Sequence, residues 1–221
     1  MAQRLAVDLH SPAAEIIRTA VTVLRRGGVI AYPTDTVYGL AVDAGNPAAV
    51  ARLYKVKQRP AEKALPVIIG APEQLAQLVV TPSQTAQRLM AAFWPGPLTL
   101  LMHPQAHVLS NLRGGSERLG VRWPQAALSQ QLALGLGGAI TATSANLSGQ
   151  PAALTAGEVG QQLAGSIDLI LDAGAMPSPE VSTVLDVGTE PPQLRRAGKI
   201  SPVALAAVLG YHLAEPTGSL E

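Results

Sequence analysis

Short apolar runs alternate with segments of helical periodicity along most of this 221-residue chain. The first helical segment follows Ser11-Pro12, and its apolar residues recur at a spacing of three and four: Ile16, Ile17, Ala20, Val21 and Leu24. This pattern stops at Gly27-Gly28, and an apolar run at 29–32 predicts a buried strand directly after the helix. This pattern therefore predicts a helix that leads into a buried strand.

Similar apolar runs predict six more strands, at 65–69, 98–102, 119–121, 139–143, 167–171 and 181–187. Proline after a capping residue marks the expected helix starts: Ser11-Pro12, Asn46-Pro47, Thr81-Pro82 and Ser201-Pro202. Thr155 and Glu158 form a predicted capping box. This alternation predicts an α/β fold with three layers, in which strands that closely follow each other pair antiparallel.

Composition favours one large domain with a densely buried sheet. Hydrophobic residues make up 48% of the chain, charged residues 14% and aromatic residues 3%. We expect a domain over residues 1–212 and a loose tail over 213–221. The absence of cysteine excludes disulfides and is consistent with a reducing compartment, so the cytoplasm is the default location. No apolar stretch reaches membrane-spanning length, and we expect a soluble protein without membrane contact.

Positive charge is concentrated in one stretch of a nearly neutral protein. Residues 52–63 carry five Lys or Arg, although the formal net charge of the chain is only +1. The simple alternative is a solvated helix face. A local anion-binding site is the functional interpretation, because such clusters create positive potential.

Polar residues gather where two of the predicted strands end, at 32–39 and at 141–149. Each segment could be only a turn stabilised by hydroxyl, Asn or Gly residues. Together with the basic stretch they could instead form a pocket for a nucleotide and a small zwitterion, because ligands bind at strand ends in open α/β sheets. Neither a P-loop nor a Gly-x-Gly-x-x-Gly motif is present, and Pro104 argues against a metal site at His103 and His107.

Five motifs, taken in order and spacing, resemble the YrdC/TsaC family of threonylcarbamoyl-AMP synthases in its short, single-domain form. They are Tyr-Pro-Thr-Asp-Thr-Val-Tyr-Gly-Leu (32–40), Lys-Gln-Arg-Pro (57–60), Thr-Ser-Ala-Asn-Leu-Ser-Gly (143–149), Ser-Thr-Val-Leu-Asp (182–186) and Arg-Ala-Gly (196–198). The resemblance implies a YrdC-like fold, with a twisted mixed sheet of parallel and antiparallel strands flanked by helices. It also implies a deep positive cleft.

The resemblance further implies a role for ten residues. Lys57 and Arg59 would be catalytic and would bind the ATP phosphates. The other implied ATP-binding residues are Lys63, Asn146, Thr155 and Arg196, and the implied threonine-binding residues are Thr36, Arg122, Ser144 and Ser182. Some relatives have a histidine near the threonine pocket where this chain has Ile68, so one substrate contact should differ.

The implied reaction joins L-threonine, bicarbonate or carbon dioxide, and ATP with Mg²⁺ into threonylcarbamoyl-AMP, with release of pyrophosphate. Its product would serve the threonylcarbamoyladenosine modification of tRNA through a downstream tRNA threonylcarbamoyltransferase. No protein-held metal is expected. Two alternatives stay open, namely an RNA-binding maturation factor and a catalytically divergent paralogue. Against RNA binding stand the seven aromatic residues and the pI of about 8.1.

Overall fold

The computed structural model describes residues 2–163, 165–176 and 181–214. These residues form six α-helices: α1 (Ala14–Arg25), α2 (Pro47–Lys57), α3 (Gln84–Phe93), α4 (Ala127–Leu136), α5 (Ala156–Leu163) and α6 (Pro202–Leu209). Two short 3₁₀ helices cover Pro72–Gln77 and Ser110–Arg113. None of the helices in these described residues is long and apolar enough to cross a membrane.

Eleven strands lie in the same described ranges and form two sheets. They are β1 (Gln3–Ala6), β2 (Ile30–Pro33), β3 (Tyr38–Ala41), β4 (Val67–Ile68), β5 (Leu98–Met102), β6 (Leu119–Arg122), β7 (Ile140–Thr141), β8 (Thr143–Ser144), β9 (Leu169–Asp172), β10 (Thr183–Asp186) and β11 (Gln193–Arg196). One sheet has the order β1-β9-β2-β3-β8 and the other β11-β10-β5-β6-β4-β7. Both contain parallel and antiparallel pairs, so the expected mixed α/β architecture is confirmed, with its strands divided between two sheets.

Helix α1 forms where the apolar periodicity predicted it. Its buried side chains, Ile17, Ala20, Val21 and Leu24, face α4. Gly135 makes this close packing possible, because a Cβ atom there would lie 2.9 Å from Cγ2 of Val21. The helix begins at Ala14, and no side chain caps it, so the predicted cap at Ser11-Pro12 is wrong.

The other predicted helix starts have mixed outcomes. The Asn46 and Ser201 side chains cap α2 and α6 as expected, with proline in the first turn. Helix α3 is capped by Ser83, not Thr81, since the Ser83 hydroxyl accepts the amide of Ala86. Thr155 caps α5 by accepting the amide of Glu158, whose carboxylate accepts the amide of Leu154.

All seven predicted strands are present, although most are shorter than their apolar runs. The run at 139–143 is divided between β7 and β8, which belong to different sheets. Strands β1, β3 and β11 were not predicted. Two of these three carry exposed or half-buried polar side chains, so no apolar run marks them.

Buried apolar side chains form two clusters, and the larger one includes residues of β3, β5 and β6. The smaller cluster joins α1 and α4 to the inner strands and includes Ile68 and Tyr32. The assignment of residues 1–212 to one domain stays a prediction. Most of the predicted tail, 215–221, lies outside the described residues.

Candidate active site

A continuous series of contacts joins most of the expected site residues across the two sheets. Helix α2 ends at Lys57, which contacts the loop after β8. Strand β8 pairs with β3, and the β2–β3 turn reaches Arg122 at the end of β6. From there the contacts continue through β5 and β10 to Arg196 on β11. These contacts connect the expected residues at the junction of the two sheets, and a ligand pocket shared by them stays a prediction.

Lys57 is the buried basic side chain at the end of α2, and it is 1% exposed. Its Nζ atom donates to the carbonyl oxygens of Ser144 (2.5 Å) and Asn146 (2.9 Å) and to Oδ1 of Asn146 (3.2 Å). Burial, with a smaller effect from the charge of Arg59, lowers the pKa of Lys57 to about 7. In its ammonium form, Nζ has one N–H donor for each of these three acceptors, whereas a neutral amine has only two.

Arg59 follows Lys57 after a sharp reversal of the chain. Gln58 makes this reversal with a left-handed backbone conformation (φ 49°) that ends α2. The Arg59 guanidinium then donates through Nε to the carbonyl of Lys63 (3.2 Å) and through Nη2 to that of Ala64 (2.8 Å). Burial lowers the pKa of Arg59, but arginine keeps its charge. This arrangement fixes the guanidinium plane while Nη1 contacts no acceptor among the described residues.

Ser144 and Asn146 face each other within the loop that Lys57 contacts. The Ser144 hydroxyl donates to Oδ1 of Asn146. The Asn146 amide nitrogen donates to the carbonyls of Leu147 (2.9 Å) and Gln150 (2.6 Å). Helix α5 supports this loop from outside, because Gln162 bonds both the amide of Leu147 and the carbonyl of Pro151. The Ser-x-Asn element is thus rigidly held.

The β2–β3 turn brings Thr36 and Asp35 to the site. Thr36 is buried, and its hydroxyl lies 3.1 Å from that of Thr34. Oδ2 of Asp35 accepts a hydrogen bond from Nη2 of Arg122 at 2.5 Å, while Nε of Arg122 donates to the carbonyl of Gly96 (3.0 Å). Oδ1 of Asp35 is buried and has no hydrogen-bond partner among the described residues. A buried carboxylate oxygen without a partner is costly, so it marks a place where a ligand donor could bind.

Arg196 and Ser182 form the far side of the site. Nε and Nη2 of Arg196 donate to the Ser182 carbonyl (3.1 and 3.0 Å), and Nη2 also contacts the Ser182 hydroxyl (3.1 Å). That hydroxyl lies 2.9 Å from the hydroxyl of Thr99. Thr99 pairs with Arg122 across β5 and β6. Burial, and then the charge of Arg122, lower the pKa of Arg196.

The side chains of two expected ATP-binding residues, Lys63 and Thr155, make no contact with this network in the described part of the chain. The ammonium group of Lys63 makes no hydrogen bond or ion pair with the described residues, although its carbonyl anchors Arg59 and Tyr54. The Thr155 hydroxyl serves as the cap of α5. Their roles in ligand binding stay predictions.

Ile68 lies in register with Arg122 across the β4–β6 pair, so its backbone is adjacent to the site. Its side chain is 3% exposed and packs in the smaller apolar cluster. The structure thus shows an apolar contact at this position, where a histidine would place a polar ring.

Sequence reasoning missed two residues that hold the site together. Asp35 lies inside a quoted motif, and its charge between two threonines was the available signal. Thr99 is the one hydroxyl residue in an apolar run, and this was the only hint in the sequence. In the structure it is buried and contacts Ser182. Neither pairing could be found without the strand register.

Fold and site together define an α/β protein with one buried and two half-buried arginines near the junction of two mixed sheets. A family model described as telomere recombination matches residues 22–198. The chain belongs to the Sua5/YciO/YrdC family.

Curated relatives carry the name threonylcarbamoyl-AMP synthase. The chain is 36% identical to that of Pyrococcus abyssi over 194 residues (88% of this chain, 57% of the relative). It is 38% identical to that of Bacillus subtilis over 195 residues (88% and 56%) and 41% identical to that of Vibrio cholerae over 160 residues (72% and 85%). The chain thus spans little more than half the length of the first two.

Solved structures of Sua5 and YciO are also similar to this chain. P. abyssi Sua5 complexed with L-threonine matches with a TM-score of 0.89 and 33% identity, over 96% of this chain and 62% of that one. Escherichia coli YciO matches with a TM-score of 0.83 and 26% identity, over 93% of this chain and 100% of that one.

Proposed function

We propose that this protein is an L-threonylcarbamoyladenylate synthase, a nucleotidyltransferase that converts L-threonine, bicarbonate or carbon dioxide, and ATP into threonylcarbamoyl-AMP and pyrophosphate. The observation that carries this proposal is the contact series from Lys57 and Arg59 through Ser144 and Asn146 to Arg122 and Arg196. Relatives of that name and the threonine complex of P. abyssi Sua5 support it.

ATP is assigned to the side of the site that carries Arg59, Asn146 and Arg196. Arg59 and Arg196 each present Nη1, and guanidinium groups bind phosphate oxygens with strong, directed hydrogen bonds. Lys57 adds a buried positive charge, although its three N–H donors already have acceptors. Lys63 and Thr155 would join this side if ligand binding moves them closer.

L-Threonine is assigned to the side that carries Thr36, Arg122, Ser144 and Ser182. Nη1 of Arg122 has no acceptor in the described part of the chain, so it is free to bind the carboxylate of an amino acid. Thr36 and Ser182 are also buried, and their hydroxyl groups suit a small polar substrate.

The reaction requires mainly alignment and charge neutralisation. The threonine amine forms an N–C bond with carbon dioxide and loses a proton, which gives a carbamate. A carbamate oxygen then forms a bond to the α-phosphorus of ATP while the bond to pyrophosphate breaks. The arginines would orient the two anions and stabilise the charge that develops on the leaving pyrophosphate.

Magnesium would enter with ATP. Among the described residues, no group of three or more His, Cys, Asp or Glu side chains could hold a metal ion. The acid nearest to the arginines, Asp35, is already paired with Arg122. This donor set fits an ion held by phosphates and water, which is how Mg²⁺ usually binds with nucleotides.

Threonylcarbamoyl-AMP is an activated carbonyl compound, so its threonylcarbamoyl group can be transferred to tRNA. A downstream tRNA threonylcarbamoyltransferase would carry out this transfer. A cytoplasmic location, expected from the absence of cysteine, fits this role.

The test is to incubate the protein with ATP, Mg²⁺, bicarbonate and each amino acid in turn, and to search for the adenylate of matching mass. We expect threonylcarbamoyl-AMP and pyrophosphate only with L-threonine and bicarbonate present. Binding of RNA that survives loss of both Lys57 and Arg59, without any adenylate, would instead favour the RNA-binding factor. Threonine and ATP binding without product would indicate a divergent paralogue.

A further inference from the structure

Lys57 has used every donor of its ammonium group inside the protein. An ammonium carries three N–H bonds, and Nζ has three acceptors, two of them backbone carbonyls and the third the Asn146 amide oxygen. With 1% exposure, the side chain lies behind the loop that it contacts and not on an open surface.

The backbone of Lys57 contacts the same loop. Its carbonyl accepts the amide of Ser148 at 2.9 Å. Lys57 therefore holds the 144–148 loop at two points. Its Nζ atom binds Ser144 and Asn146, and its backbone carbonyl binds Ser148. Without the ammonium, the carbonyls of Ser144 and Asn146 would lose a buried donor, and each unpaired group would destabilise this loop conformation.

The arginines of the site are arranged differently. Arg59, Arg122 and Arg196 each use Nε and Nη2 for protein acceptors, which fixes the guanidinium plane. For all three, Nη1 meets no acceptor in residues 2–163, 165–176 and 181–214. Their Nη1 atoms can bind an anion without breaking a contact, whereas Lys57 would first have to break a hydrogen bond.

We propose that Lys57 is a positioning residue, which acts on the ligand through Asn146 and the 144–148 loop, and that Arg59 alone of the Lys-x-Arg pair contacts the phosphates. The inference rests on the proposed function for the identity of the ligand. The hydrogen bonds from Lys57 to its three acceptors do not depend on the proposed function.

The first experiment is a double-mutant cycle on the affinity for ATP–Mg²⁺, measured by calorimetry. Lys57→Met keeps most of the apolar stem and removes the donors. If Lys57 acts through Asn146, the Lys57→Met/Asn146→Ala double variant loses about as much affinity as the weaker-binding single variant. The fold-losses of Lys57→Met and Arg59→Ala should instead multiply. Multiplication in the Asn146 cycle overturns the proposal.

A conservative replacement provides a second readout. Arginine at position 57 would keep the charge but cannot place its planar fork among three acceptors arranged for an ammonium group. We expect Lys57→Arg to bind ATP as weakly as Lys57→Met. Recovery of affinity by Lys57→Arg indicates a direct phosphate contact and contradicts the proposal.

Nuclear magnetic resonance separates this proposal from the proposed function. In the wild-type protein, Nζ of Lys57 should show couplings across its hydrogen bonds to the carbonyl carbons of Ser144 and Asn146, and these should persist at saturating ATP–Mg²⁺. Their loss on ATP binding overturns the positioning role. If the wild-type protein binds no ATP, the proposed function fails, and absent couplings in the free protein would separately reject the loop contact.

Discussion

The carboxylate of Asp35 and the guanidinium of Arg122 form an ion pair at 2.5 Å, between a turn of the five-stranded sheet and a strand of the six-stranded sheet. Both side chains are largely buried, with exposed fractions of 24% and 10%. The group that we assign to the threonine carboxylate therefore already has a carboxylate partner. A bound amino acid would share Arg122 with Asp35 through the free Nη1 atom.

We predict that Asp35→Asn lowers the free energy of unfolding by about 1 to 3 kcal/mol, because a buried charge-assisted hydrogen bond is weakened and Arg122 stays buried. Urea unfolding measures this loss. The matched control is Arg4→Gln, which removes the pair with Asp172, where Arg4 is 56% exposed. An exposed pair contributes less than about 1 kcal/mol. Equal losses in the two variants would contradict the structural role of the Asp35 pair.

Arg59 should be more important for turnover than any other basic residue of α2 and the turn after it. We predict that Arg59→Ala loses about 2 to 4 kcal/mol of transition-state stabilisation, as for a preorganised donor at developing charge. Arg59→Lys should recover little, because lysine cannot bond two carbonyls and still present a fixed donor. Pyrophosphate release measures kcat/KM.

Lys55→Ala is the control for Arg59, since Lys55 lies exposed on the same helix. Its loss should change turnover little. If Arg59→Ala retains wild-type turnover, Arg59 has no role in the reaction.

Ile68 tests whether the apolar contact beside Arg122 matters for folding. Ile68→His should lower the free energy of unfolding by about 1 to 3 kcal/mol, because the ring nitrogens would lack partners in the apolar cluster. Ile68→Val is the control, at about 0.5 to 1.5 kcal/mol. Thermal or urea unfolding distinguishes them, and a fully stable Ile68→His variant would show that the ring finds polar partners there.

The sequence predicts the helices and strands of this protein better than the contacts between them. Apolar runs such as 98–102 form strands because burial on both faces requires continuous apolar residues. Strand β11 was missed because three of its four residues are polar, and only Leu194 is buried in the core. The three acceptors of Lys57 lie 87 and 89 residues away along the chain, and only tertiary structure brings them together.

Asp168 gives a prediction for the dependence of stability on pH. Burial alone would raise its pKa, but the hydrogen bonds from Arg52 and the Val29 amide, with the charge of Arg52, lower it overall. A carboxylate with a lowered pKa in the folded state stabilises it above the unfolded pKa, and this contribution is lost as the pH falls through the folded pKa. The free-energy difference between wild type and Asp168→Asn should therefore be larger at pH 7 than at pH 3. A difference that does not shrink on acidification would show that the charge of Asp168 is not responsible.

Gly198, the last residue of the Arg-Ala-Gly motif, lies against the backbone that carries Ser182. A Cβ atom at Gly198 would come within 2.5 Å of backbone atoms of Val181, Ser182 and Thr183. Because backbone atoms cannot move aside without displacing Ser182, we predict that Gly198→Ala lowers the free energy of unfolding by about 1 to 3 kcal/mol. It should also weaken L-threonine binding at least about tenfold, since we assign Ser182 to the threonine side of the site.

Gly160→Ala is the matched control for Gly198→Ala. Gly160 lies inside α5, and nothing lies within 4 Å of its added Cβ atom. Alanine there should raise the free energy of unfolding by about 0.5 to 1 kcal/mol, because glycine disfavours the helix interior. Calorimetric titration with L-threonine and urea unfolding of both variants measure the two effects. Unchanged threonine affinity in a folded Gly198→Ala variant would contradict the assignment of Ser182 to threonine binding.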